Sequence, residues 1–252
     1  MARRPALNHD RIIEAAVRVA DRGGVAQVSM RNVGKELGVE AMSLYHHLAG
    51  KDALLDGLAN WIFTQIELPE QQRPWRPAMV DRAESSRRAL SRHPWALGLI
   101  ESRRSPGPAL LRHHDAVLGC LRGNGFSVTL AAHAFSAIDA YVYGFVLTEL
   151  NLPFDADEEV HEFVDQIQPA LSADEHPHLV EMITNQVVGR DYSYADEFGF
   201  GLDLILDSLE RHLTRPGPAA AQRADAGPGR VDQEPAGTRA ASGRPTSRRS
   251  AR

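Results

Sequence analysis

Along most of this chain the large apolar residues recur at spacings of three and four, and the two-residue alternation of a half-buried strand is almost absent. Packed helices bury such a pattern and sheets do not, so an all-α fold is expected. Asn8 can cap a first helix whose apolar face is Ile12, Ile13, Ala16, Val17 and Ala20, and Gly23-Gly24 ends it. Ser29 caps a short second helix with Val33 and Leu37 inward, and Gly38 stops it. A third short helix is predicted over about 41–48, and a fourth starts near Lys51 with Leu54, Leu55, Leu58 and Ile62. After the loop around Pro74 and Pro77, proline and glycine punctuate helices at about 78–92, 94–103, 108–123 and 127–150. Helices near 157–168 and 178–188 follow. The last, 194–213, sets Phe198, Leu202, Ile205, Leu209 and Leu213 along one packing seam. No repeat of fixed period is visible.

The C-terminal stretch is different. Residues 215–252 hold five Gly, five Pro and nine Ala, and Val231 is their only large apolar side chain. So little apolar surface cannot offset the entropy of ordering, so this Arg/Pro/Gly/Ala-rich tail is expected to be disordered. The remainder divides into a head at 1–60 and a larger body at 61–214. Cys120, the single cysteine, excludes a disulfide scaffold and a thiolate metal cluster. The opening MARRPALNHDR lacks the apolar stretch of a signal peptide, and a cytoplasmic location is expected. The best membrane candidate, Gly123 to Thr148, contains His133 and Asp139. An Asp at mid-bilayer costs roughly 2.5–3.5 kcal/mol, so a buried helix of a soluble protein, with no membrane partner, fits better. Residues 1–64 carry a net charge of +1 and the tail +5, against −11 for residues 65–214. Such a balance suits a protein that meets a polyanion only through a small head.

Residues 29–51 read SMRNVGKELGVEAMSLYHHLAGK. Two short helices joined by a tight glycine turn are the physical content of a helix-turn-helix. Gly38 supplies the left-handed residue and Gly34 the close crossing, while Val33, Leu37, Val39 and Leu44 hold the angle. The third helix then turns Ala41, Met42, Ser43, Tyr45, His46 and His47 outward. Small residues first and polar aromatics later fit an element entering the major groove by its N-terminus. A guanidinium such as Arg31 can read guanine bidentately, and Met42 can touch a thymine methyl. On structural grounds alone, Tyr45 could instead pack under the turn and the histidines be merely solvated.

The run Leu44-Tyr45-His46-His47-Leu48, followed by Lys51, Ala53, Leu54 and Leu55, resembles the signature of the tetracycline-repressor (TetR) family of one-component regulators. Gly38-Val39-Glu40 and Leu54-Leu55-Asp56-Gly57-Leu58-Ala59 look especially like its tetracycline-repressor subgroup. Gly125-Phe126-Ser127, Ser136-Ala137 and Phe198-Gly199-Phe200-Gly201-Leu202 extend the likeness into the body. The resemblance implies that Arg31, Ala41, Met42, Ser43, His46 and His47 face base edges, and that Ser29, Tyr45 and Lys51 bind phosphates. It also implies a homodimer on double-stranded operator DNA, built on a four-helix bundle from 127–150 and 194–213, and a repressor released by a small molecule. One head reads too few base pairs alone, and two must sit about 34–36 Å apart to meet successive major grooves.

For the effector, Trp95, His114, Val117, Phe135, Asp139 and Tyr143 are candidates on helices expected to converge, suited to a largely apolar or aromatic compound. Tetracycline itself is not expected. The family's metal-coordinating histidine falls at Ile100 or Glu101, its drug-binding Asn and Phe near Glu84 and Ser86, and its acidic residue at Thr148, beside Glu149. No cofactor, metal or catalytic residue is expected. Two other classes stay open at this point. His113-His114-Asp115 contains the His-Asp dyad of helical metal-dependent phosphohydrolases, with His93 and Asp139 as possible partners. A helical protein-binding adaptor would also suit the acidic body, but leaves the Tyr45–Lys51 run without a purpose.

Overall fold

Asn8 opens the first helix by accepting the backbone N–H of Arg11 at 3.0 Å, a cap worth about 1 kcal/mol. Helix α1 (His9–Gly23) buries all five expected apolar residues and stops where Gly24 takes φ +73°. The computed structural model describes residues 6–103, 106–153, 157–167, 169, 171–188 and 192–214. The tail expected to be disordered lies outside the described residues. Among those described, all regular structure is helical, as the periodicity requires.

Helices α2 (Met30–Leu37), α3 (Ala41–Leu44) and α4 (Lys51–Thr64) complete the N-terminal group. α4 packs both on α1 and on later helices. At Gly57 an added Cβ would lie 2.3 Å from the Ile13 side chain, so a glycine is what lets α4 approach α1 this closely. Then come α5 (Trp75–Arg92), α6 (Trp95–Ser102), α7 (Pro108–Gly123) and α8 (Val128–Glu149). α5 starts three residues earlier than the periodicity suggests. Pro77 lies in its first turn, where the missing N–H would have had no helical partner anyway, and Trp75 packs edge-on to Phe126 at 5.0 Å.

Helix α9 (Asp157–Ile167) and α10 (Pro177–Met182) follow, the latter continuing as a π-helical turn over Ile183–Val187. Ile183 and Val187 form a small apolar cluster with Val164, Ile167, Leu171 and Tyr192, separate from the main core. A 3₁₀ turn at Tyr194–Asp196 leads into α11 (Glu197–Thr214), where continuous helix had been expected from 194. α11 lies along α8, and the Tyr141 hydroxyl donates to the Phe198 carbonyl at 2.9 Å.

The body core is α5, α7, α8 and α11, with Met79, Leu90, Val117, Cys120, Leu121, Ile138 and Leu206 buried completely. α8 is buried along one face only. Ala131, Ala134, Ile138, Val142, Phe145 and Val146 line one buried face, yet only about a third of its most apolar stretch is covered. Val128 and Leu147 of α8 and Phe200 and Leu204 of α11 are exposed. α8 is long and apolar enough to cross a membrane by length and composition, but its Asp139 is occupied by an ion pair inside the body.

Candidate functional site

The head is built as its two glycines dictate. Gly38 sits at φ +68°, ψ +36°, the left-handed conformation that ends α2 and starts the turn. A Cβ on Gly34 would stand 3.0 Å from the Val39 carbonyl oxygen and 3.3 Å from the Ala41 backbone, so α2 and α3 cross at backbone contact. The Val39 N–H donates to the Gly34 carbonyl at 2.9 Å, and Val33 and Leu44 are fully buried beneath. Arg18 and Arg22 of α1 both pair with Glu36 of α2, and these two guanidiniums hold its carboxyl below the ordinary carboxylate range.

One expectation needs correction. The third helix was expected over about 41–48, but α-helix ends at Leu44. Beyond it the chain tightens to i→i+3 bonds, Tyr45 N–H to Met42 O at 3.2 Å and His47 N–H to Leu44 O at 2.9 Å. Buried Leu48 pulls the chain inward, and Gly50, at φ +129°, turns it into α4.

Arg31, Met42, Tyr45, His46, His47 and Lys51 are exposed, while Ser29, Ala41 and Ser43 are half-buried. Met42 is 71% and Tyr45 51% exposed, so Tyr45 does not pack under the turn. Among the described residues, Arg31, His46, His47 and Lys51 form no ion pair. Ser29 caps α2 by accepting the Asn32 N–H at 3.2 Å. Lys51 is the first residue of α4, beside free backbone N–H groups.

In the body, Arg82 is 2% exposed, and its Nη2 donates to Asp139 in a buried ion pair. Its Nε–H donates to His113 Nε2 at 3.2 Å. Burial, and then the Arg82 charge, push the His113 imidazole from 6.5 down to about 3, so it is neutral at ordinary pH. Burial likewise lowers His114, against the pull of Asp139, and raises the Tyr143 phenol with help from Asp139. The Phe135 ring stands edge-on to His114 at 4.6 Å, with the Arg82 guanidinium 5.7 Å from its centre. Phe63 of α4 packs on His113 at 5.5 Å.

His114, Phe135, Asp139 and Tyr143 thus share one neighbourhood, and Val117 lies buried on the same helix as His114. Trp95 does not join them. Its Nε1–H donates to Asp21 of α1 at 2.6 Å, His93 Nδ1 lies 2.8 Å from the same oxygen, and Trp61 of α4 stacks alongside. Trp95 therefore sits where head and body meet, and lines a cavity there with Leu55, Pro94 and Leu99.

Arg82 and His113 are the polar groups that reading for aromatic walls missed. Each falls on a buried stripe, Arg82 with Ala78, Met79, Ser86 and Ala89, and His113 with Ala109, Val117 and Cys120. A charge in such a stripe was the available signal. The phosphohydrolase reading finds no support in the geometry. Asp115 is exposed, His93 faces Asp21, and Asp139 is paired with Arg82. Among the described residues no three His, Cys, Asp or Glu side chains come together in a group that could hold a metal.

Compared with known proteins, residues 12–58 match the family of bacterial regulatory proteins named for tetR, and residues 68–213 match the tetracyclin repressor-like C-terminal domain. The chain belongs to the tetR family. Among its relatives is the HTH-type transcriptional repressor DrrR1 of Streptomyces coeruleorubidus, 33% identical over 217 residues, 82% of this chain and 78% of that one. The class D tetracycline repressor of Escherichia coli is 27% identical over 211 residues, 82% of this chain and 91% of the repressor. The fold is that of the TetR family protein ActR of Streptomyces coelicolor, solved in complex with actinorhodin (TM-score 0.67, 24% identity, 84% of this chain and 100% of that one). This tetR-family chain is a ligand-responsive, DNA-binding transcriptional regulator.

Proposed function

We propose that two copies of the chain bind one palindromic operator as a repressor, in the cytoplasm, and that a small aromatic effector bound in the body releases them. The observation that carries this is the head surface. Arg31, Met42, Tyr45, His46, His47 and Lys51 are exposed on a two-helix turn whose angle Gly34 and Gly38 fix. On this reading Arg31, Ala41, Met42, Ser43, His46 and His47 face base edges. Ser29, Tyr45 and Lys51 meet phosphates, the Ser29 hydroxyl remaining free to do so only as far as its cap allows.

The head is taken as residues 1–60 and the body as 61–214, joined through α4. Support for the dimer comes from α8 and α11, whose exposed Val128, Leu147, Phe200 and Leu204 are the apolar positions a two-fold four-helix bundle covers. The effector site is the neighbourhood of His114, Val117, Phe135, Asp139 and Tyr143, enlarged to Arg82 and His113. Trp95 is assigned to the link between that site and α1.

The tetracycline repressor is a relative, but a magnesium–tetracycline chelate does not fit here. Glu149 is held by Arg87, and Glu84 is exposed beside Arg88. Selection of random duplexes with the purified chain, followed by sedimentation of the complex, tests the reading. An inverted repeat carrying two chains is expected. A chain that stays monomeric and selects no sequence at low salt overturns it.

A further inference from the structure

Where head and body meet, the fold leaves a cavity of about 680 Å3, a size that suits a small molecule. Its walls come from the end of α1 (Asp21), the turn after it (Val25), α4 (Leu55) and α6 (Trp95, Gly98 and Leu99). Gly98 keeps part of this volume open. It lies inside α6, where glycine costs up to about 1 kcal/mol relative to alanine, yet a Cβ there would meet nothing within 4 Å. At Gly34 and Gly57 a close neighbour explains the glycine; at Gly98 no neighbour does, and what the missing side chain leaves is empty space.

Asp21 is the one charged residue in the lining. The Trp95 Nε1–H donates to its Oδ1 at 2.6 Å and His93 Nδ1 lies 2.8 Å from the same atom, so both contacts fall on one oxygen and Oδ2 carries none. Among the described residues no Lys or Arg pairs with it, and Arg22, next in the chain, is taken by Glu36. The carboxylate is thus held in place by the indole and still offers an oxygen and a charge beside a mostly apolar space. An anion brought in would be repelled, and a neutral molecule would leave the charge unanswered. An organic cation answers it. Its ammonium N–H donates to Oδ2 in a charge-assisted bond while its apolar frame lies against Trp95, Leu55 and Leu99. The net charge of −11 on residues 65–214 also draws cations toward this side of the chain rather than anions.

We infer that this junction cavity is a second ligand site, which takes an organic ammonium ion with a compact apolar frame and Asp21 as its counter-ion. It is separate from the neighbourhood of His114 and Phe135 and does not depend on the effector reading given for that place.

The test uses the full chain and two matched sets of probes, 9-(aminomethyl)anthracene with its alcohol and carboxylate counterparts, 9-anthracenemethanol and 9-anthracenecarboxylate, and the aliphatic set 1-adamantylamine, 1-adamantanol and 1-adamantanecarboxylate. Calorimetry should show at least one amine bound about ten-fold or more tighter than its alcohol, with the carboxylate weakest. D21N keeps an acceptor for Trp95 and should bring that amine and its alcohol within about two-fold. G98L fills the space where no neighbour stands and should weaken the amine about ten-fold or more, with the chain still folded. If D21N does not fold, G98L still decides. No binding of either amine, an amine bound no tighter than its alcohol, or a preference for the amine that survives D21N or G98L overturns the inference; in the last case the cation is held elsewhere on the chain.

Discussion

The head and the body of this regulator handle polar side chains in opposite ways. In the head, Arg31, His46, His47 and Lys51 point outward and form no ion pair among the described residues, while an aliphatic core and two glycines set the geometry. In the body, Arg82, His113 and Asp139 point inward and are bonded to one another. A surface that must meet a polyanion of varying sequence keeps its donors uncommitted and pre-aligned. Inside the body the same groups are kept dry, where an interaction out of water is stronger and its loss more costly.

The contrast breaks most easily at the ion pairs. Removing Arg82 by R82A leaves the Asp139 carboxylate buried and alone, and should cost about 3–5 kcal/mol in denaturant melts. The double change R82M/D139L should lose much less. In the head, R18A removes a partner of Glu36 from an exposed pair and should cost about 1 kcal/mol or less. Equal losses at the two sites would erase the distinction.

Next in size is the crossing of α2 and α3. G34A drives a methyl against the Val39 carbonyl and the Ala41 backbone and should cost about 1–3 kcal/mol, with weakened duplex binding in gel shifts. G98A, in α6 where a Cβ meets nothing within 4 Å, should be neutral or stabilise by up to about 1 kcal/mol. If G34A binds DNA as well as the natural chain, the crossing does not set the reading surface.

The third effect is a slope. His113 takes a proton near 3 in the fold but near 6.5 when unfolded, so the unfolded chain is protonated first as pH falls. The contribution is fully present above about pH 6.5 and is lost progressively toward pH 3, at about 1.4 kcal/mol per unit within that window. Melts at pH 7, 6, 5 and 4 should show H113Q, which keeps an acceptor for Arg82, losing stability less steeply than the natural chain. Parallel curves would mean His113 is not held neutral.

Much of the head could be read in the sequence, because its parts are local. The cap at Asn8, the left-handed Gly38, the close Gly34 and the buried Val33 and Leu44 all follow from spacing within about forty residues. The misjudged end of α3 came from Leu48, whose inward pull is a tertiary effect. The body was legible as helices but not as a site. Pairing Arg82 with His113 and Asp139 joins residues 31 and 57 positions apart, and only the packing of α5, α7 and α8 brings them together. The surroundings of Trp95 were hidden for the same reason. Nothing local reveals that its partner is Asp21, 74 residues earlier.

The central claim, that the outward head residues divide into base readers and phosphate holders, is tested most directly by one titration series. The natural chain, R31A and K51A are each bound to the selected duplex and to single-base variants of it, from low to physiological salt. R31A should lose about 1–3 kcal/mol and its preference at one base pair, while K51A should weaken every duplex alike and reduce the salt slope by about one unit per protomer. Identical losses of both kinds in the two variants, or none in either, would contradict it.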